Sequence, residues 1–193
     1  MADKYVMRYL PEHNITFIHN PKTAGTSIGT WLDNNFITKR GRKHGHWIEV
    51  AEYFPKTVFT FGVVRNPWSR LASWYLYANP AREPFDHWLT QRLQVNESGL
   101  SFNPTLTWAK NWYTIATPQA DWFGDNINLV LRFENLQEDF EKIKKLLTCN
   151  ADLPIMNVND SYDYRTLYTD DLAELVRDIY IKDVIRYDYD FEI

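Results

Sequence analysis

The sequence predicts an α/β fold with a central, mainly parallel sheet flanked by helices, and three stretches of the chain support this prediction. Each stretch is a short apolar run followed by a loop and then by a segment with apolar residues at helical spacing. The runs are Ile15 to His19, Thr57 to Val64 and Asn126 to Phe133. Because strands that alternate with helices build parallel sheets covered by helices, we expect this architecture for the chain.

Each predicted strand leads into a predicted helix. The helix after the first strand carries apolar residues at Ile28, Trp31, Leu32 and Phe36. After the second strand, Asn66 can cap a helix and Pro67 suits its first turn. The third strand leads into a helix from Asn135 to Leu147, and a last helix is predicted from Asp170 to about Tyr187.

Composition favours one globular domain spanning residues 1–193. The chain has 193 residues, of which 45% are hydrophobic and 16% aromatic, enough to bury a sizeable core. A net charge of −4 argues against a surface built for nucleic acid. The chain has one cysteine, no apolar signal stretch in its first residues, and no apolar run near the roughly 20 residues that span a bilayer. We therefore expect a cytoplasmic protein with neither nucleic acid nor membrane as a partner.

The loop after the first predicted strand is rich in groups that hold anions. Such a loop collects unpaired backbone N–H groups and the positive end of the helix dipole. Lys22 adds a full charge, and Gly25 lets a ligand approach the backbone closely. Hydroxyl donors come from Thr23, Thr26 and Ser27. The lysine precedes the glycine, whereas it follows the glycine in the nucleotide-hydrolase loop.

Two motifs resemble those of sulfotransferases that use 3′-phosphoadenosine 5′-phosphosulfate (PAPS). PKTAGTS, Pro21 to Ser27, resembles the 5′-phosphosulfate loop of the branch that includes heparan sulfate 2-O-sulfotransferase and many bacterial relatives. VVRNPWSRLASWY resembles the family's 3′-phosphate motif, with Arg65 at a strand end and Ser73 eight residues later. The likeness covers most of the chain except Asn79 to about Thr117. Ala24 departs from the family pattern, which often has glycine there.

The resemblance implies a P-loop-like three-layer fold and transfer of a sulfuryl group from PAPS to an acceptor hydroxyl, in-line and without a metal. Lys22 would also stabilise the leaving nucleotide. The residues that the resemblance assigns to the cofactor are Lys22, Thr23, Ala24, Gly25, Thr26, Ser27, Arg65, Ser73 and Arg165.

Two histidines between the motifs, in RKHGHWIEV, are candidates for the catalytic base. Taken alone, a histidine pair in a basic loop is typical of solvated surface, and no ligand set completes a metal site. The resemblance implies a base here, because the 2-O-sulfotransferase branch has His-Gly-His in this interval and bacterial relatives have Lys-His. The first match favours His46 and the second favours His44, and the sequence leaves both open.

The acceptor is expected to be a glycan or a small molecule, and the irregular segment Asn79 to Thr117 is expected to line its binding site. Flat apolar faces and positive charge combine there at Trp88, Arg92, Trp108, Lys110 and Trp112. The alternative is that these tryptophans close the core over the sheet. The basic cluster Lys39 to Lys43 is either a solvated loop or a surface that attracts an anionic acceptor. A P-loop nucleotide kinase and a non-catalytic nucleotide-binding protein remain alternatives, and the oligomeric state stays open.

Overall fold

The structure is a computed structural model in which residues 6–43, 46–78, 83–96, 99–102, 115–156 and 163–192 are described. The chain divides into two units. Unit 1 comprises Met1–Arg65 and Trp122–Asn159, and unit 2 comprises Asn66–Asp121 and Asp160–Ile193. Within the described stretches, the structure shows no helix long and apolar enough to cross a membrane.

Eight α-helices occur in the described part of the chain. They are α1 (Gly25–Asn35), α2 (Val50–Tyr53), α3 (Pro67–Ala78), α4 (Phe85–Thr90), α5 (Gln119–Phe123), α6 (Leu136–Leu146), α7 (Asp170–Ile179) and α8 (Ile181–Tyr187). Together with the strands described next, they confirm the α/β class.

Unit 1 contains an open five-stranded sheet. Its strands are β1 (Val6–Leu10), β2 (Ile15–Phe17), β3 (Lys39–Lys43), β4 (Phe59–Val64) and β7 (Leu129–Arg132), in the order β3-β1-β2-β4-β7. The three strands expected from the sequence, β2, β4 and β7, are mutually parallel. The unexpected strand β1 is antiparallel to both β2 and β3. The sheet is therefore mixed, and β1 is the strand that departs from the predicted mainly parallel arrangement.

The two unexpected strands, β1 and β3, contain charged residues, which is why the sequence did not indicate them. Arg8 lies in the middle of β1 and is only 3% exposed. Its guanidinium donates to both carboxylate oxygens of Asp33 on α1, at 3.0 Å each. This partner is remote in sequence, so no local pattern reveals it. The other strand, β3, lies at the sheet edge, where positive charge discourages pairing with a further strand.

The core of unit 1 lies between the sheet and helices α1 and α6. Phe17 and Phe61 from neighbouring strands pack with ring centroids 5.1 Å apart. Trp31 of α1 meets Phe140 of α6 edge to face at 4.9 Å, and its indole N–H donates to the backbone carbonyl of Ala151 at 2.9 Å. Edge-to-face contact suits the aromatic quadrupole, and the indole donor is satisfied in the buried site. This packing fixes α1, and with it the loop that precedes it.

Unit 2 contains α3, α4, α7, α8 and a hairpin of β5 (Leu93–Asn96) and β6 (Gly99–Phe102). The predicted cap is confirmed: Asn66 Oδ1 accepts the backbone N–H groups of Trp68 and Ser69 at 3.1 and 3.2 Å. The last predicted helix is two helices, α7 and α8, which meet at the buried Tyr180.

Candidate anion-binding site

The sheet of unit 1 brings three of the predicted site segments to one edge. Since β1 is antiparallel to both β2 and β3, those two strands point the same way as β4 and β7. Their carboxyl ends therefore share an edge, which is where ligands bind in open α/β sheets. The loop with Lys22 follows β2, the histidine segment follows β3, and Arg65 follows β4. The sequence had placed the first and third at strand ends, but it gave no strand before the histidines.

The loop between β2 and α1 has a strained backbone. Lys22 and Ala24 adopt left-handed conformations, with φ of 67° and 60°. Each such non-glycine residue costs about 1–2 kcal/mol, and strain of this kind collects at functional sites. Left-handed residues in a turn also direct backbone N–H groups into concavities that suit anions. Glycine adopts a left-handed conformation without this steric cost, so Ala24 is strained where glycine would not be.

Two hydrogen bonds hold the strained loop in place. The side-chain amide of the buried Asn20 donates to the backbone carbonyl of Val63 on β4 at 3.2 Å. The Thr23 hydroxyl donates to the carbonyl of Asn20 at 2.9 Å. Thr23 is 1% exposed, so its hydroxyl shapes the loop. The role expected for Thr23, direct contact with the cofactor, stays a prediction.

The N-terminus of α1 suits an anion. Its N-cap residue is Ala24, whose methyl group cannot accept a hydrogen bond, and the first turn of this helix contains no acidic residue. The first backbone N–H groups and the positive end of the dipole therefore face the loop without a side-chain cap. Thr26 is half-buried and Ser27 is buried.

Gly25 is required by a residue that sequence reasoning missed. A Cβ at this position would collide with the imidazole ring of the buried His19. His19 lies two residues after the end of β2, and its ring packs against Gly25 at the start of α1. Its signal in the sequence was a histidine at the end of an apolar run, immediately before the anion-rich loop.

Arg65 joins the two motifs. Its Nη1 donates to the backbone carbonyl of Lys22 at 3.3 Å, across 43 positions of sequence. The guanidinium carbon lies 4.1 Å from the centre of the Phe133 ring, a cation–π contact that fixes the arginine.

Lys22 and Arg65 form a pair of neighbouring cations. Burial, and secondly the charge of Arg65, lower the pKa of Lys22 from 10.5 to about 8. An anion placed beside both groups would relieve this repulsion. Perturbed groups of this kind mark candidate functional sites.

Of the two candidate bases, the structure describes His46, and His44 lies outside the described residues. The half-buried His46 ring lies on the indole of Trp122, with centroids 4.0 Å apart and planes 30° apart. Its backbone N–H donates to the Glu49 carboxylate at 2.8 Å. Among the described residues, no group of three or more His, Cys, Asp or Glu side chains is placed to hold a metal ion.

Two predicted cofactor residues lie in unit 2. Ser73 is half-buried on α3. Arg165 is exposed on a short 3₁₀ helix, where its Nε donates to Asp163 Oδ1 at 2.9 Å and its Nη1 lies 3.8 Å from the Glu192 carboxylate. Both residues keep their 3′-phosphate roles as predictions.

The segment expected to wall the acceptor is described in part. Trp88 is 1% exposed and closes the core of unit 2, so it offers no face for a sugar. Arg92 lies over the Trp88 ring and pairs with Glu83 at 3.3 Å. Trp108, Lys110 and Trp112 lie outside the described residues. The basic cluster, expected to be a loop, forms β3, where Arg40 pairs with Asp33 at 3.1 Å.

Comparisons with protein-family models, curated proteins and solved structures found no match to this chain. A functional assignment therefore depends on the residues, their geometry and the motifs that they form.

Proposed function

We propose that this protein is a PAPS-dependent sulfotransferase that moves a sulfuryl group to an acceptor hydroxyl, and that the acceptor is a carbohydrate. A P-loop-like three-layer fold and a cytoplasmic location are part of the proposal. The observation that carries it is the bond from Arg65 to the Lys22 carbonyl. It joins the two sequence motifs that resemble the phosphosulfate and 3′-phosphate motifs, at the ligand-binding edge of the sheet.

The residues of the loop fit a nucleotide with phosphate at both ends. On the 5′ side, Lys22 and the first backbone N–H groups of α1 suit a phosphate, and Thr26 and Ser27 add hydroxyls. On the 3′ side, Arg65 offers a guanidinium fork. A guanidinium carries five N–H donors, so Arg65 can hold the loop and a phosphate together. The resemblance adds Thr23, Ala24 and Gly25 through their backbone.

In this proposal each side chain has a distinct task. The bound nucleotide supplies the sulfuryl group to the acceptor. The Lys22 ammonium offers its charge to the 5′-side oxygen, where negative charge grows in the transition state. A ring nitrogen of His46 or His44 accepts the acceptor's hydroxyl proton, as histidine does near neutral pH. The rigid loop keeps the reacting groups aligned, which lowers the entropic part of the barrier.

The test is transfer of a labelled sulfuryl group from PAPS to a panel of glycans, small alcohols and phenols. We expect Lys22→Met to lose transfer, while Lys56→Met, at an exposed lysine of the same unit, retains it. Removing the catalytic histidine should lower the rate by roughly 10² to 10⁴ and leave nucleotide affinity nearly unchanged, because the base acts on the acceptor. Wild-type rates in Lys22→Met would refute the proposal. Wild-type rates in the His44→Ala/His46→Ala double variant would remove histidine from the mechanism.

A further inference from the structure

The half-buried His46 ring lies against the indole of Trp122, a buried residue near the end of α5. We propose that Trp122 is a positioning residue for the catalytic base. Its indole face holds the His46 ring in place and attracts the positive charge that this ring gains during transfer. The proposal rests on the proposed sulfuryl transfer, and it assigns the role of base to His46.

The contact has the geometry of a stacked pair. The ring centroids of His46 and Trp122 are 4.0 Å apart and the ring planes are 30° apart, so one face of the imidazole covers the indole. Stacking of aromatic rings at such distances is favourable. Since His46 is half-buried, part of its surface stays open to an acceptor.

Neighbouring contacts hold the backbone around this pair, within unit 1. The backbone N–H of His46 donates to the Glu49 carboxylate at 2.8 Å. Two residues after Trp122, Gly124 adopts a left-handed conformation with φ of 57°, and a Cβ there would collide with the indole of Trp47. Residues 46–47 therefore pack against residues 122–124 at two successive points, which gives the His46 ring a fixed support.

No hydrogen bond accounts for an indole at position 122. The Trp122 Nε1 is buried, and among the residues that the structure describes it has no hydrogen-bond partner. A buried donor without an acceptor destabilises a fold, whereas a phenylalanine ring would fill much of the same space without that cost. What tryptophan adds is a larger face and the strongest attraction for a cation among the aromatic side chains.

The base becomes a cation when it acts. A neutral ring nitrogen of His46 takes the proton of the acceptor hydroxyl while the hydroxyl oxygen bonds to sulfur. The bond from sulfur to the nucleotide oxygen breaks, and the nucleotide leaves with the electron pair. The ring ends as an imidazolium on the face of the indole. Because the indole attracts the imidazolium more than the neutral ring, it stabilises the transition state more than the ground state and raises kcat.

The contact itself is tested without an assay of transfer. In NMR spectra of the full chain with isotope-labelled histidine, a His46→Gln variant identifies the His46 ring signals. Ring protons of His46 that lie over the indole should be shifted upfield by its ring current. We expect this shift to be smaller in Trp122→Phe and lost in Trp122→Leu, and to persist in Phe123→Leu, which opens space at the next buried residue. Unchanged His46 signals in Trp122→Leu would overturn the proposal.

The effect on catalysis is measured as sulfuryl transfer from PAPS at saturating acceptor. We expect Trp122→Leu to lower kcat about tenfold and Trp122→Phe to lower it less. Both variants should leave the KM for PAPS within about twofold, and the matched control Phe123→Leu should retain the wild-type kcat. Equal kcat values in Trp122→Leu and Phe123→Leu would overturn the proposal. If Trp122→Leu fails to fold, the same comparison is made between Trp122→Phe and Phe123→Leu.

A double-mutant cycle separates positioning from a general loss of structure. In a His46→Gln background, Trp122→Phe should leave the residual rate within about twofold, because no imidazolium is left to stabilise. A loss as large as the one in the wild-type background would overturn the proposal. A wild type that transfers to no acceptor, while the upfield shift of His46 is present, would instead refute the proposed function and with it the catalytic role of the contact.

Discussion

The charge state of Lys22 should make anion binding depend on pH. Burial, followed by the charge of Arg65, lowers the pKa of Lys22 from 10.5 to about 8. A bound dianion stabilises the ammonium form and raises that pKa again. By linkage, affinity for the anion is constant while Lys22 is protonated, and it falls as the pH rises through about 8.

The size of the effect follows from these pKa values. With Lys22 kept in its ammonium form by the bound dianion and a pKa of about 8 in the free protein, the dissociation constant should rise about thirtyfold between pH 7 and pH 9.5. That rise corresponds to about 2 kcal/mol of binding free energy. A Lys22→Arg variant keeps its charge throughout this range, so its affinity should not change with pH. A Lys56→Arg variant should retain the full fall.

Calorimetric titration with adenosine 3′,5′-bisphosphate measures this dependence at constant ionic strength. Repeating the titration at pH 8.5 in two buffers with different ionisation enthalpies should show that the wild-type complex takes up protons and that the Lys22→Arg complex does not. A flat wild-type profile, or the same fall in Lys22→Arg, would refute this interpretation of Lys22.

Two further predictions concern stability. Ala24→Gly should stabilise the fold by about 0.5–1 kcal/mol, because the strain of a left-handed alanine exceeds the entropy that glycine adds to the unfolded chain. The control Ala51→Gly, on the exposed side of α2, should instead destabilise the fold by a similar amount. If urea unfolding gave changes of the same sign for both variants, the backbone at Ala24 would not be strained. Asp33→Asn should lower the free energy of unfolding by about 3 kcal/mol, because Arg8 is left as a buried charge without its carboxylate. Burial alone would raise the pKa of Asp33, but hydrogen bonds and the charge of Arg8 outweigh it and leave the pKa lowered, so this stabilisation is present above about pH 4 and is lost as the pH falls further. The free energies of unfolding of wild type and Asp33→Asn should therefore differ at pH 7 and be closer at pH 3. A difference that does not change with pH would exclude the ion pair as the source of the stabilisation.

The sequence predicted the elements whose signals are local. The short apolar run from Ile15 to His19 indicated β2, and Asn66 followed by Pro67 marked the start of α3. Both lie where they were expected. Local patterns also indicated the anion-rich loop, because the residue types that bind phosphate are adjacent in the chain.

Features that depend on remote partners could not be predicted. Arg70 on α3 is 1% exposed, and its guanidinium donates to the carbonyls of Ile115 and Thr117 at 3.4 Å. Tyr180 interrupts the last predicted helix, where its hydroxyl donates to the same Ile115 carbonyl at 2.8 Å. The signals for these contacts lie many residues away, so periodicity within a window cannot detect them.

The candidate site likewise combines features that the sequence indicates with features that depend on the fold. The sequence named Lys22 and Arg65 separately, and the fold brings them into contact. The left-handed backbone at Ala24 and the imidazole of His19 behind Gly25 were not predicted, because the first depends on the path of the loop and the second on helix packing.

We expect this loop to bind a nucleotide phosphorylated at its 3′ and 5′ positions. Thermal unfolding of the wild type with adenosine 3′,5′-bisphosphate, with 5′-AMP, or with ATP and magnesium tests this binding. A ligand that binds only the folded state raises the melting temperature. At a hundredfold excess over its dissociation constant, it adds about 2.7 kcal/mol to the free energy of unfolding. We predict the largest increase with the bisphosphate, a smaller one with 5′-AMP, and loss of the difference between them in Arg65→Met. Stabilisation by ATP with magnesium alone would contradict it.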